Sequence, residues 1–124
     1  KGKWLSEGGY DTIAERVFKE VDVDAFCLEY DTPRAGDFKP LAHVPKGKTV
    51  VLGLVSTKTP ALESADGVVK RIEEAAQYVP KDHLCLSPQC GFASTVAGNP
   101  VTPEDEQKKL GLVVDVAKKV WGTA

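Results

Sequence analysis

The chain of 124 residues contains no methionine, only two histidines and only three cysteines. An odd, small number of cysteines argues against a disulfide framework and fits a reducing compartment. No apolar run approaches the ~20 residues of a membrane span, and no signal peptide opens the sequence, so no membrane partner is expected and cytoplasmic residence is the default. A concentrated positive charge is also missing. The 16 Lys and Arg are dispersed and outnumbered by 18 Asp and Glu, giving a net charge of -2 and a pI near 5.7. The footprint of a nucleic-acid binder is therefore absent. With no methionine even at position 1, the sequence is expected to be part of something longer.

What is present is organised around Leu84 to Thr95, LCLSPQCGFAST. Leu84, Cys85 and Leu86 read as a strand buried on both faces, ended by Pro88 and Gly91. Cys90 then falls just past the carboxyl end of that strand, where open parallel sheets and (β/α) barrels build their active sites. A buried structural cysteine is the plainer alternative, and spacing alone leaves both open.

In chain order, Tyr10, Ile13, Ala14, Val17, Phe18 and Val21 make the apolar stripe of a helix. Ala25 to Glu29 is a strand that turns polar at Glu29. A long loop, Tyr30 to Lys48, follows, and long loops are more often functional. Thr49 to Val55 is the clearest buried strand. Ser64 caps a helix with inner face Val68, Ile72, Ala75, Ala76 and Val79. Thr102 and Asp105 form a capping box with Pro103 at the first helical position, opening a last helix that packs through Leu110, Val113, Val114, Ala117 and Trp121. Trp4 and Trp121 are expected to be packing residues. The alternation predicts an α/β fold with a parallel sheet. Three strands buried on both faces would leave bare edges, so further strands are expected. A (β/α)8 TIM barrel needs ~250 residues, of which this would be about half.

The segments LEYDTPRAGDF (Leu28 to Phe38), KGKTVVLGLVSTKTPALES (Lys46 to Ser64) and LCLSPQCGFASTVAGNP (Leu84 to Pro100) resemble, in order and spacing, the C-terminal part of cobalamin-independent methionine synthases. The likeness is nearest to the short single-barrel members, a group that includes the epoxyalkane:coenzyme M transferases. It implies that residues 1–124 are the C-terminal part of a (β/α)8 barrel with the rest upstream. It also implies a zinc cofactor at the barrel's C-terminal face, held by a His and a Cys after the fifth strand, a Glu after the sixth and a Cys after the eighth. By motif, Glu29 matches that glutamate and Cys90 that last cysteine, while the His and Cys pair would lie upstream of Lys1.

A mixed site with two sulfurs suits zinc, and zinc keeps a position for substrate. A thiol bound there would be a thiolate near neutral pH, although a free thiol has a pKa of ~8.5. The resemblance thus implies methyl or alkyl transfer to a substrate thiol: homocysteine methylation with 5-methyltetrahydrofolate, or addition of a thiol to an epoxide. A non-catalytic half-barrel needing a partner chain is the remaining alternative. In the family's methionine synthases a histidine after the seventh strand is thought to protonate the leaving folate, and the matching residue here is Lys58. A lysine, with an ordinary pKa of ~10.4, could donate a proton or bind an anionic substrate group. Ser87 and Gln89 flank the matched cysteine as hydrogen-bond partners. Solvated side chains are the plainer reading for Glu29 and Lys58, and for Asp31, Arg34 and Asp37. His43 and His83 are expected to be structural, and Cys27 and Cys85 to be core residues.

Overall fold

The computed structural model describes residues 8–124. Trp4 lies outside the described residues. Among them no helix is long and apolar enough to cross a membrane. The strands fall where the apolar runs place them: β1 at Ala25–Glu29, β2 at Thr49–Val55 and β3 at Leu84–Pro88. They form one sheet in the order β1-β2-β3, parallel throughout, with Cys27 level with Val51 and Val51 level with Cys85. The β2–β3 register slips where Val55 meets Pro88, a residue with no N–H to donate.

Three helices accompany the sheet: α1 at Ala14–Glu20, α2 at Ala65–Ala75 and α3 at Pro103–Trp121. Both expected caps form. The Ser64 hydroxyl accepts from the Gly67 N–H, and Thr102 and Asp105 close a capping box over the first turn of α3, with Pro103 opening it. These bonds satisfy N–H groups that a helix start otherwise leaves orphaned. Phe26, Leu28, Val50, Leu52 and Leu84 are buried, as are Phe18 of α1, Val68, Ile72 and Ala75 of α2 and Val116 of α3. Phe18 meets Phe26 edge to face with ring centroids 5.0 Å apart.

Three expectations need correction. The strands are not covered on both faces. Residues alternate across a strand, and Cys27 and Cys85, expected in the core, are exposed on the face opposite Phe26 and Leu28. The first helix begins four residues late, at Ala14. The Tyr10 carbonyl accepts from the Ile13 and Ala14 N–H groups, and its hydroxyl accepts from the Glu29 N–H at 3.1 Å. That pulls Tyr10 off the helical stripe towards the end of β1, and Ile13 and Val21 are left exposed. In α3 the buried positions are Lys109 and Val116, while Leu110 and Val114 are exposed. Val113 and Trp121 pack partly against the core as expected, the Trp121 Nε1–H donating to the Lys81 carbonyl. The Tyr30 to Lys48 loop joins β1 to β2 as expected. It contains 3-10 turns at Pro33–Ala35 and Lys39–His43 and buries Tyr30, Phe38 and Leu41. These side chains join the one hydrophobic core, with the Tyr30 ring 4.6 Å from Phe38 and the Arg71 guanidinium over the Phe38 ring.

Candidate functional site

The uncovered face of the sheet forms one wall of a cavity of about 370 Å³, lined at the carboxyl edge by Glu29, Gly53, Ser87, Gln89 and Cys90 and lower down by Cys27. Parallel register puts Glu29, Gly53 and Ser87 in one row across the three strands. A side chain in the middle of that row would crowd β1. A Cβ on Gly53 would lie 3.1 Å from the Leu28 carbonyl oxygen and 3.5 Å from the Glu29 Cα.

Four groups converge above this row. The Glu29 carboxylate, at the end of β1, has the Lys58 Nζ at 3.6 Å and the Arg34 guanidinium at 3.8 Å. Lys58, largely buried in the loop after β2, donates to the Gln89 side-chain carbonyl. The Gln89 Nε2 is buried without a partner. Cys90, just past β3, is exposed and lines the same cavity as Glu29. The nearby Glu29 carboxylate, which favours the protonated thiol, and partial burial raise Cys90 above its ordinary pKa, while the Lys58 charge pulls it down. A proton bound more tightly means that a cation reaching Cys90 must displace it.

The structure thus brings together Glu29, Lys58, Gln89 and Cys90, from the ends of three strands, with Ser87 on the cavity wall. Arg34 joins them through Glu29. Asp37 does not: it accepts from the Lys39 N–H and pairs with the Lys39 ammonium within its own turn. Asp31 lines a separate cleft of about 260 Å³ beside Arg71, and its carboxylate oxygens are buried without partners among the described residues. His83 lines another cleft with Tyr78 and Lys48, and His43 ends a 3-10 turn. Among the described residues no three His, Cys, Asp or Glu side chains gather into a metal-binding group.

The supports of the site are residues that sequence patterning passes over. Ser56, Thr57 and Lys58 leave β2 in a segment held from two sides. On one side Lys109 of α3, wholly buried, donates to the Ala61 carbonyl and pairs with Glu63 at 3.0 Å, and Glu63 accepts from the Ser56 N–H at 2.8 Å. The Ser56 hydroxyl in turn accepts from the Lys58 N–H. On the other side the Asn99 amide donates to the Thr57 carbonyl at 3.0 Å. Nothing in the local pattern flags these contacts. Only a lysine breaking the apolar face of α3 hints at one of them.

A parallel α/β sheet whose charged and thiol groups collect at its carboxyl edge defines a class, the α/β catalytic domains with active sites in their strand-end loops. The particular family follows from comparison with known proteins. Residues 9–119 match the family model described as cobalamin-independent synthase, catalytic domain, and the chain belongs to that family. It is 51% identical over 119 residues to the uncharacterized protein YxjG of Bacillus subtilis, covering 95% of this chain and 32% of that protein. It is 30% identical over 91 residues to a methionine synthase of Pyrococcus abyssi, covering 73% of this chain and 26% of that one. Among solved structures, a protein of Listeria monocytogenes provisionally assigned as a vitamin-B12-independent methionine synthase superposes with a TM-score of 0.68 at 36% identity, over 93% of this chain and 33% of that one. The chain therefore spans about a third of the length of the relatives it matches.

Proposed function

We propose that this chain is the C-terminal part of a (β/α)8 barrel and takes part in zinc-dependent methyl transfer to a substrate thiol, with homocysteine as the acceptor and 5-methyltetrahydrofolate as the donor. The observation that carries this reading is the meeting of Glu29 and Cys90 at one cavity from the ends of β1 and β3. A carboxylate oxygen and a thiol lining one cavity are two donors of the types zinc uses. Two are too few, and the remaining ligands, a His and a Cys, would come from the rest of the barrel. In the family's numbering of strands, β1, β2 and β3 would be the sixth, seventh and eighth.

Glu29 and Cys90 are the residues of this chain that would hold the metal. Bound there, zinc would keep a substrate thiol deprotonated near neutral pH. Lys58 supplies a positive charge beside Glu29, able to protonate a leaving group or to pair with an anionic group of the substrate. Gln89 accepts from Lys58 and so fixes where that charge sits, while Ser87 holds the wall beneath it.

The test is made on the full-length protein. About one zinc per chain and methylation of homocysteine are expected, with Cys90→Ser and Glu29→Gln each lowering zinc content and turnover. A protein that methylates no thiol, or that keeps full zinc without Cys90, refutes the assignment. Activity only with an epoxide as alkyl source would replace it with the thiol-addition reaction.

A further inference from the structure

The two loops that carry Lys58 and Cys90 are far apart in sequence, and one side chain joins them. Asn99 lies in the Gly98–Pro100 turn, half-buried, with Gly98 before it in the left-handed region. Its Nδ2 donates to the carbonyl of Thr57, the residue preceding Lys58, at 3.0 Å, and reaches the carbonyl of Gly91, the residue following Cys90, at 3.5 Å. The Ser94 hydroxyl, 3.1 Å from the Nδ2 and donating to the Asn99 Oδ1 at 3.4 Å, is local to the turn. Within that turn the Gly98 N–H already donates to the Thr95 carbonyl at 2.8 Å. The bond to Thr57 spans 42 residues and serves a different purpose. Thr57 is fully buried and, through Ser56, belongs to the segment that Glu63 and Lys109 grip from the opposite side.

We propose that Asn99 is a positioning residue: its amide clasps the Lys58 loop to the Cys90 loop and thereby sets the separation between the Lys58 ammonium and the Cys90 sulfur. The consequence for the metal rests on the reading of Glu29 and Cys90 as ligands, whereas the clasp itself does not. An amide donates two hydrogens, and with the Ser94 hydroxyl donating to the Asn99 Oδ1 at 3.4 Å both are left for the two carbonyls. Asn99→Asp removes both donors and sets a carboxylate against two carbonyl oxygens, and Asn99→Ala removes the link without adding charge.

Two measurements on the full-length protein test this separately. The first is amide hydrogen exchange of the metal-free protein. In Asn99→Ala, exchange is expected to rise at residues 56–58 and at 90–95 together, about five- to ten-fold, the scale of one lost hydrogen bond. The strands should stay unchanged, and Ser94→Ala should leave residues 56–58 as they were. A rise confined to 94–99, or one spread over the whole sheet, overturns the clasp. The second is the absorption of the cobalt-substituted protein. In Asn99→Ala the thiolate-to-cobalt band is expected to shift or weaken, with metal affinity down about ten-fold or more, as for lost supports of metal ligands. An unchanged band at unchanged affinity overturns the positioning role. If the unaltered protein gives no thiolate band, the zinc reading fails, and the exchange data still decide the clasp. Asn99→Asp repeats both measurements should the alanine variant not fold.

Discussion

Replacing Lys109 with methionine removes a wholly buried ammonium and keeps most of the volume of its stem. The partner left behind, Glu63, is a quarter exposed and still accepts from the Ser56 N–H, so water can reach it. Breaking a buried pair costs roughly 3–5 kcal/mol when the orphaned charge stays buried. Here the orphan is wet, and a loss of about 2 kcal/mol is expected. The reciprocal change, Glu63→Met, strands the Lys109 ammonium at zero exposure with only the Ala61 carbonyl and also strips the buried Ser56 N–H of its acceptor. It should cost the full 3–5 kcal/mol or so. The double variant should cost less than the sum, because the second removal deletes a charge the first had orphaned. Urea denaturation of the purified proteins, with m-values compared, reads all three. If Lys109→Met is the more costly single change, or if the two losses add, the pair is not the buried anchor described.

Gly53→Ala should destabilise by about 1–3 kcal/mol, since its Cβ meets the Leu28 carbonyl at 3.1 Å in a sheet centre that cannot yield without spreading β1 from β2; a neutral result in denaturation would show that the strands have room. In the metal-free protein, Lys58→Met should move the pH profile of Cys90 alkylation upward and Glu29→Gln should move it downward, because the lysine lowers and the glutamate raises that thiol; shifts of the opposite sign would remove the Glu29–Cys90 contact from the picture. Thr102→Ala should cost about 1 kcal/mol through loss of the cap on α3. Asp105 in the same box is held below the usual carboxylate range by the Thr102 N–H and hydroxyl, so its stabilisation is present above the ordinary aspartate pKa and lost as pH falls through the lowered one. Asp105→Asn should therefore flatten the acid limb of stability against pH, and an unchanged limb would count against the box.

The strands and the starts of α2 and α3 were legible because each is written locally. Apolar runs ending in Glu29, Val55 and Pro88, a serine before Ala65 and a Thr-Pro pair before α3 need no tertiary knowledge to read. The groups that gather at the site were legible from a resemblance more than from pattern, since one carboxylate, one lysine and one cysteine have no signature spacing across 61 residues, from Glu29 to Cys90. What escaped was decided at a distance. Lys109 looks like a solvated helix residue until Glu63 is folded against it, 46 positions away, and its burial turns the face of α3 away from the Leu110 and Val114 stripe. Tyr10 fits a helical stripe until its hydroxyl finds the end of β1. Cys27 and Cys85 look like core residues because a strand's apolar run does not say which of its faces will be covered.

If the chain is part of a barrel as proposed, those two cysteines make a gauge of its closure. They sit on the same bare face, level with Val51 on the strand between them. Two strand spacings put them roughly 10 Å apart, too far for a disulfide, so oxidation cannot join them within the sheet. Each therefore stays an independent reporter. A maleimide would reach both in this chain alone and neither once other strands close over them, so the labelling stoichiometry reads out whether the interior is open or filled, before any substrate is added.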